Sequence, residues 1–338
     1  MWYNENGPMS DVVLSSRVRL ARNIKALPFV GKMTSEQEQS SIDTAKRALE
    51  GQMDLDFLDM NNLADTDKLA LAERHLISRN MLDTGVHRAL LLSKSQNISI
   101  MLNEEDHIRI QCMEAGFDPD NCMSLANQVD DALESAVEYG FDPVLGYLTR
   151  CPTNVGTGLR ASVMLHLPAL VITGSMEKII GSVASLGMTV RGLFGEGSQA
   201  LGNLFQISNQ ITLGSAEFEI LQKLKEIIEQ IIAKEREARS ILLKNNPIEF
   251  EDRIRRAYGI LTNARLMPSG EFMNIYSDVR LGVVMGIIKD VPGITSLMYE
   301  QMPANITQKY GGATDKDRDV KRCEIIKEYL TNGGTHNV

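Results

Sequence analysis

Four cysteines in 338 residues, Cys112, Cys122, Cys151 and Cys323, include no CxxC pair. That spacing argues against a zinc ribbon or a disulfide framework and suits a reducing compartment. No apolar run reaches the roughly 18 residues needed to cross a bilayer, and MWYNENGPMSD has neither the basic start nor the apolar core of an export signal. The expectation is a cytoplasmic protein that contacts no membrane. Positive charge is also scarce. The 35 Lys and Arg against 44 Asp and Glu give a formal net charge of -9, the wrong sign for a general nucleic-acid binder. There is no GxxxxGK[ST] phosphate loop, no internal repeat and no low-complexity tract. What remains is a globular composition, 43% hydrophobic, long enough for two domains.

VVLSSRVRLARN (12–23) predicts a strand with Arg17 and Arg19 on one face and Val18 and Leu20 on the other, while Arg22 breaks the parity. Residues 34–80 read as two helices, SEQEQSSIDTAKRALEGQ and DKLALAERHLISRNML, from apolar residues at three- and four-residue spacing. ALLLS, ISIML and HIRIQ follow as a β-meander whose last turn carries Asn103, Glu104, Glu105 and Asp106. DPDNCMSLANQVDDALESAV predicts a helix. GYLTRCPTNVGTGLRASVMLHLPAL predicts a strand, a glycine-containing loop and a helix from about Gly158.

Strands near MTVRGLF and NLFQISNQ precede a strongly periodic helix from Ser215, its start marked by Ser215 and Glu217. Ile220, Leu221, Leu224, Ile227, Ile228, Ile231 and Ile232 form its apolar stripe. Residues 247–338 read mostly as helix, interrupted at MPSG and KYGGATDKD. The fold class is α+β, an antiparallel sheet flanked by helices with a helical C-terminal domain, divided into residues 1–238 and 239–338.

Five arginines, Arg17, Arg19, Arg109, Arg160 and Arg191, stand at strand ends or turns from which they could reach one pocket. Arginine keeps its charge and presents a planar donor fork that matches phosphate oxygens in pairs, so a convergent set could hold a polyphosphate without a Walker loop. GTGLR (156–160) could add backbone N–H donors at a helix N-terminus. Each arginine alone also reads as a solvated strand face, and the three acids as a polar hairpin tip.

VLSSRVRLARN, NEEDHIRIQ, CPTNVGTGLRAS and RGLFGEGSQALGNLFQISNQ resemble, in order and spacing, signature segments of the phosphagen (guanidino) kinases, over roughly residues 12–235. The resemblance implies a guanidino-kinase catalytic domain that uses ATP and Mg²⁺. It places Ser15, Arg17, Arg19, His75, Arg109, Arg160 and Arg191 at the nucleotide, and Glu105, Glu196 and Cys151 at the substrate guanidinium. A guanidinium is cationic, so its nitrogen is a poor nucleophile until a base takes a proton. Two carboxylates could grip the N–H fork and aim it, one of them serving as that base. Glu105 is the expected base and Glu196 its orienting partner.

SSRVR begins at Ser15, which leaves no room for the helical domain that precedes it in small-phosphagen kinases. A more open guanidinium site, able to take an arginine within a polypeptide, is therefore expected. YSDVRLGVVMGII and DRDVKRCEIIKEYL follow the catalytic segments, and this C-terminal part is similar to that of the family's bacterial protein-modifying branch, the protein arginine kinases of the stress response and protein quality control. That similarity implies protein substrates, a homodimer, an activator protein, a transcriptional repressor and a Clp protease complex as partners. It also implies an allosteric phosphoarginine site at Arg318, Asp319 and Arg322, which match that branch's RDxxRA motif with Cys323 in place of its alanine. Two alternatives remain: a kinase for free arginine or another small guanidino compound, and a non-catalytic adaptor that binds phosphoarginine.

Overall fold

The arginine-bearing segment forms β1 (Val13–Arg22), an inner strand of an antiparallel sheet. The protein is described by a computed structural model over residues 1–4, 6–192, 200–289, 291–312 and 314–331. Among those residues the main sheet has eight strands. They are β1, β2 (Leu55–Asp59), β3 (Ala89–Ser93), β4 (Ile98–Leu102), β5 (Ile108–Ala115), β8 (Leu159–His166), β9 (Met188–Arg191) and β10 (Leu204–Asn209). Their order is β2-β3-β4-β5-β1-β8-β10-β9, and a separate hairpin pairs β6 (Phe141–Asp142) with β7 (Gly146–Tyr147).

One sheet face packs on α1 (Ser35–Leu49), α3 (Pro119–Glu134) and α6 (Glu217–Asn245), where Val18, Leu20, Ile110 and Val163 meet Ile42, Leu133 and Ile228 in a continuous core. The predicted Ile/Leu stripe of α6 is buried along its whole length, each side chain contributing about 1.5–3 kcal/mol. The helix begins at Glu217, and the Glu219 carboxylate accepts a hydrogen bond from the Ala216 N–H at 3.0 Å. Thr34 and Gln37 close a reciprocal capping box on α1.

The opposite face is partly roofed by the C-terminal helices α7 (Pro247–Asn263), α8 (Ser269–Val284), α9 (Ile294–Glu300), α10 (Pro303–Tyr310) and α11 (Asp315–Thr331). Met101, Met113 and Met164 of the sheet share a second core with Trp2, Tyr276, Met298 and Tyr299. Buried Arg280 of α8 locks the two parts together, donating to the Ser10 carbonyl at 2.6 Å and to His166 Nδ1 at 2.8 Å. Helix α6 runs unbroken through residues 238 and 239.

Two expectations from the sequence need correction. Residues 34–80 are not two long helices: Gly51, at φ +76, lies just beyond α1, and LDFLD (55–59) pairs as the edge strand β2. The second helix is only α2 (Asp65–Glu73). It stops because His75 takes the left-handed conformation, φ +60, rarely adopted outside glycine. The helix predicted from Gly158 is strand β8, hydrogen-bonded between β1 and β10. Ala161, Val163 and Leu165 are buried on one face and Met164 on the other, a spacing too dense in apolar residues for periodicity alone to distinguish it from a helix. GTGLR accordingly opens a strand, and the anion-binding helix N-terminus expected there does not exist. Two short helices, α4 (Pro168–Ile172) and α5 (Met176–Ser185), connect β8 to β9.

Candidate active site

Strand register brings the five arginines together. Arg19 is opposite Arg160 on β8 and Gln111 on β5, two residues from Arg109, while Arg191 on β9 is opposite Gln206. Because directly paired residues share a face and the period along a strand is two, all five project from the face away from the α1/α3/α6 core. There they form the floor of a cleft of about 570 Å³, with Arg17, Arg19, Arg109 and Arg191 lining it directly. Its far wall is the segment after α2, including His75, Ser78 and Arg79.

The C-terminal region holds this wall. Glu73 accepts hydrogen bonds from the N–H groups of Ala304 at 2.9 Å and Asn305 at 3.0 Å, at the start of α10. Tyr299 of α9 places its ring edge-on to His75, centroids 5.8 Å apart. The His75 carbonyl accepts from Gln111 Nε2 at 2.8 Å, which fixes the wall to the sheet.

The cleft is an electrostatic concentration of like charge. Burial, then Arg160 and Arg109, push Arg17 down to about 10; burial and the same neighbours, with Arg17 first among them, push Arg19 well down. Arginine does not release its proton near neutral pH, so the displacement expresses burial first and the crowding of like charges second. Arg19 Nε is buried and has no hydrogen-bond partner among the described residues, the kind of donor a phosphate oxygen would satisfy. Arg17 Nε donates to Ser162 Oγ at 3.3 Å and Arg160 to Ser208 Oγ at 3.1 Å. Burial, followed by Arg17, lowers His75 to about 3, so its ring is neutral. Ser15 lies deeper, beside a water-sized void of about 10 Å³ shared with Arg17, His75 and Trp2.

At the edge of the cleft the three acids of the β4–β5 turn divide the work. Glu104 is buried, holding Arg109 Nη1 at 2.7 Å and the Ser78 hydroxyl at 2.5 Å. Glu105, with 30% of its side chain exposed, takes Arg109 Nη2 at 2.9 Å. Asp106 is buried, and its Oδ1 accepts from Asn23 Nδ2 at 2.7 Å and the Arg150 N–H at 2.8 Å. That last bond ties the acid tip to the loop carrying Cys151, the residue after Arg150. Cys151 is half-buried, its sulfur 3.0 Å from Thr153 Oγ1. Glu105 and Cys151 are thus each one residue from a direct cross-link. Glu196 lies outside the described residues.

Sequence reasoning missed Glu104 as a site residue, as well as Ser78, Arg79, Glu73 and Gln206. For Glu104 a signal existed, since Arg109 follows it by five residues on the same hairpin. Ser78 precedes and Arg79 opens a short 3-10 helix, Arg79–Leu82, within a stretch whose periodicity predicts a continuous helix. Arg318 and Arg322 both lie on α11 but face different surroundings. Arg318 pairs with Asp315. Arg322 is buried, bonding the carbonyls of Gln301 at 3.0 Å and Met267 at 2.6 Å and Asp319 Oδ1 at 2.6 Å.

Residues 36–238 match the model of the ATP:guanido phosphotransferase C-terminal catalytic domain. The chain belongs to the ATP:guanido phosphotransferase family. Residues 247–337 match the protein-arginine kinase McsB C-terminal domain, which places this guanido phosphotransferase in the protein-arginine kinase branch. A protein-arginine kinase of Bacillus cereus (strain G9842) is 47% identical over 98% of this chain and 95% of its own length. One from Bacillus anthracis (strain CDC 684 / NRRL 3495) is 47% identical over 97% and 95%. A crystal structure of lombricine kinase superposes with TM-score 0.59 at 25% identity, covering 70% of this chain and 68% of that one. The duplicated taurocyamine kinase of Schistosoma mansoni shares the fold, with TM-score 0.61 at 23% identity over 76% of this chain and 39% of its own. The guanido phosphotransferase is therefore an enzyme. Among its described residues no helix is long and apolar enough to cross a membrane.

Proposed function

We propose that the enzyme transfers the γ-phosphoryl group of ATP to arginine side chains in proteins. The observation that carries this reading is the continuity of the site: a cationic sheet floor runs through Arg109 to two carboxylates, which Asp106 joins to the Cys151 loop. The floor suits the triphosphate, whose oxygens would engage the donor forks of Arg17, Arg19, Arg109, Arg160 and Arg191.

Arg109 now grips Glu105, and turning it onto phosphate oxygens releases that carboxylate. Glu105 then accepts a proton from the substrate guanidinium as the N–P bond forms and the bond from γ-phosphorus to the bridging oxygen breaks, leaving ADP. Glu196 would orient the guanidinium fork and Cys151 would align it. ATP is used with Mg²⁺. When bound, the ion would supply charge neutralisation on the transferred phosphoryl group beside the arginine floor.

The same reading divides the chain into a catalytic part, residues 1–238, and a C-terminal part, residues 239–338, that supports a homodimer. Arg318, Asp319 and Arg322 form its phosphoarginine site, with Arg318 and Asp319 the side chains nearer solvent. Phosphorylation by this cytoplasmic enzyme would mark proteins for Clp-type degradation and, with an activator and a repressor as partners, tune a stress response. Phosphoproteomics of the reaction products under neutral conditions tests the core of it. Phosphoarginine is expected, and phosphate found only on serine, threonine or tyrosine would refute it.

A further inference from the structure

Beside the Cys151 loop runs an open groove of about 550 Å³ between the β6–β7 hairpin and the loop that precedes α6. Its rim is apolar and exposed: Phe141 is 55%, Val144 85%, Leu145 44% and Leu213 49% accessible. A cluster of large exposed apolar side chains marks an interaction surface more often than a scatter of single ones does. Among the described lining residues the one charged group is a carboxylate, Glu217, 32% exposed and 3.8 Å from Arg22 Nη2, so the groove favours a partner that is apolar and not anionic.

The groove is built into the loop that carries Cys151. Thr212, one of its lining residues, donates its hydroxyl to the carbonyls of Thr153 at 3.0 Å and Val155 at 2.7 Å, and its own carbonyl accepts the Thr157 N–H at 3.0 Å. Thr153 in turn touches the Cys151 sulfur through its hydroxyl. Tyr147 pairs with Gly156 across the loop's neck. Gly156, at φ +115, has the Thr212 carbonyl so close that a Cβ would sit 2.2 Å from it, so loop and groove wall are packed backbone to backbone. Tyr147, on the groove, is four residues from Cys151, at most about 14 Å of extended chain.

We infer that this groove docks the polypeptide flanking the target arginine, taking an apolar segment within a few residues of it, as an unfolded or loosely folded protein would expose. This rests on the proposed protein-arginine activity. A small guanidino substrate would have no use for such a surface, whereas a peptide whose arginine enters beside Cys151 must lay its neighbours somewhere. The groove's apolar rim would select segments that folded proteins keep inside, and Glu217 would disfavour an acidic one.

Two peptides carrying one arginine, flanked either by leucine and phenylalanine or by glycine and serine, provide the test with the wild-type enzyme and with Val144→Asp/Leu213→Asp. Both positions are exposed, and neither belongs to the catalytic set. Binding is read by fluorescence anisotropy without ATP, and phosphorylation by kcat/KM. The wild type should prefer the apolar flank by about tenfold or more, the value of burying one such side chain, through KM. The double variant should lose that preference while its turnover of the glycine/serine-flanked peptide and its ATP affinity stay as they were. An unchanged preference in the variant, or none in the wild type, overturns the inference. So does a variant that keeps the preference and shifts the oligomeric state by light scattering, which would give the groove to a second copy of the chain. If the apolar peptide binds at the groove yet no phosphoarginine forms on either peptide, the docking stands and the proposed activity falls.

Discussion

Replacing Arg19 by methionine should make the nucleotide-free protein more stable and the enzyme worse at binding ATP. Arg19 sits directly opposite Arg160 in the sheet, with Arg17 two residues away on the same face. Two guanidinium groups about 7 Å apart repel by roughly 2 kcal/mol at an effective dielectric of about 20, and solvent in the open cleft reduces this to about 1 kcal/mol. Methionine keeps the stem and gives up the charge, and it also removes a buried Nε that has no partner among the described residues, which adds to the gain. The melting temperature without nucleotide should rise by about 2 °C. With ATP bound the sign reverses. One charge-assisted fork onto phosphate contributes about 1.5–3 kcal/mol, so the dissociation constant should rise about tenfold to a hundredfold. Differential scanning calorimetry with and without ATP, paired with isothermal titration, measures both. A variant that melts lower without nucleotide and binds ATP as tightly as the wild type would show Arg19 to be a structural residue and the cationic floor no phosphate site.

Glu105→Gln should retain ATP affinity within about threefold and lose about a hundredfold to ten-thousandfold in phosphoryl transfer, the range of general acid–base catalysis; stopped-flow nucleotide binding and product assays separate the two. Asp106→Ala removes acceptors for Asn23 and Arg150, so it should raise KM for the guanidinium substrate far more than for ATP and cost about 2–3 kcal/mol of stability in denaturant titrations. His75 binds its proton less readily folded than unfolded. Between about pH 3 and 6.5 the unfolded chain therefore holds more protons, and stability must fall as pH drops through that window and level off above it. His75→Gln should flatten the slope between pH 6.5 and 5 by at most about 2 kcal/mol, read from melts across pH. Arg322→Ala should destabilise the protein by about 2–4 kcal/mol, because the carbonyls of Gln301 and Met267 and the Asp319 carboxylate lose their shared donor.

What the sequence made legible was whatever local periodicity encodes. The alternation of Arg17, Val18, Arg19 and Leu20 specified both a strand and its two faces, and the seven apolar residues of α6 specified a buried stripe. Arg22, which breaks that alternation, turns into the core, where Asp130 holds it through a 2.7 Å ion pair and Tyr147 stacks on it at 3.6 Å. Elements whose identity depends on distant partners were not legible. LDFLD becomes a strand because β3 offers it an edge. LRASVMLH becomes one because β1 and β10 enclose it, with Gly158 at φ +65 turning the chain against the Ala21 carbonyl.

The site followed the same division. The arginines could be named in advance, but their convergence is a product of register across five strands. The pairing of Glu104 with Ser78 and the reach of Asp106 to Arg150 join segments 26 and 44 residues apart, a relation that no spacing rule contains. The burial of Arg322 was equally hidden, since the carbonyls it serves belong to the turns after α7 and α9.

Phosphorus NMR of the product made from ATP and an arginine-bearing protein at neutral pH tests the central claim most directly. A phosphoramidate resonance on the protein, lost on brief acid treatment and absent with Glu105→Gln, is the predicted result. An acid-stable phosphate ester, or a phosphoramidate formed equally well by the Glu105→Gln enzyme, would contradict the account.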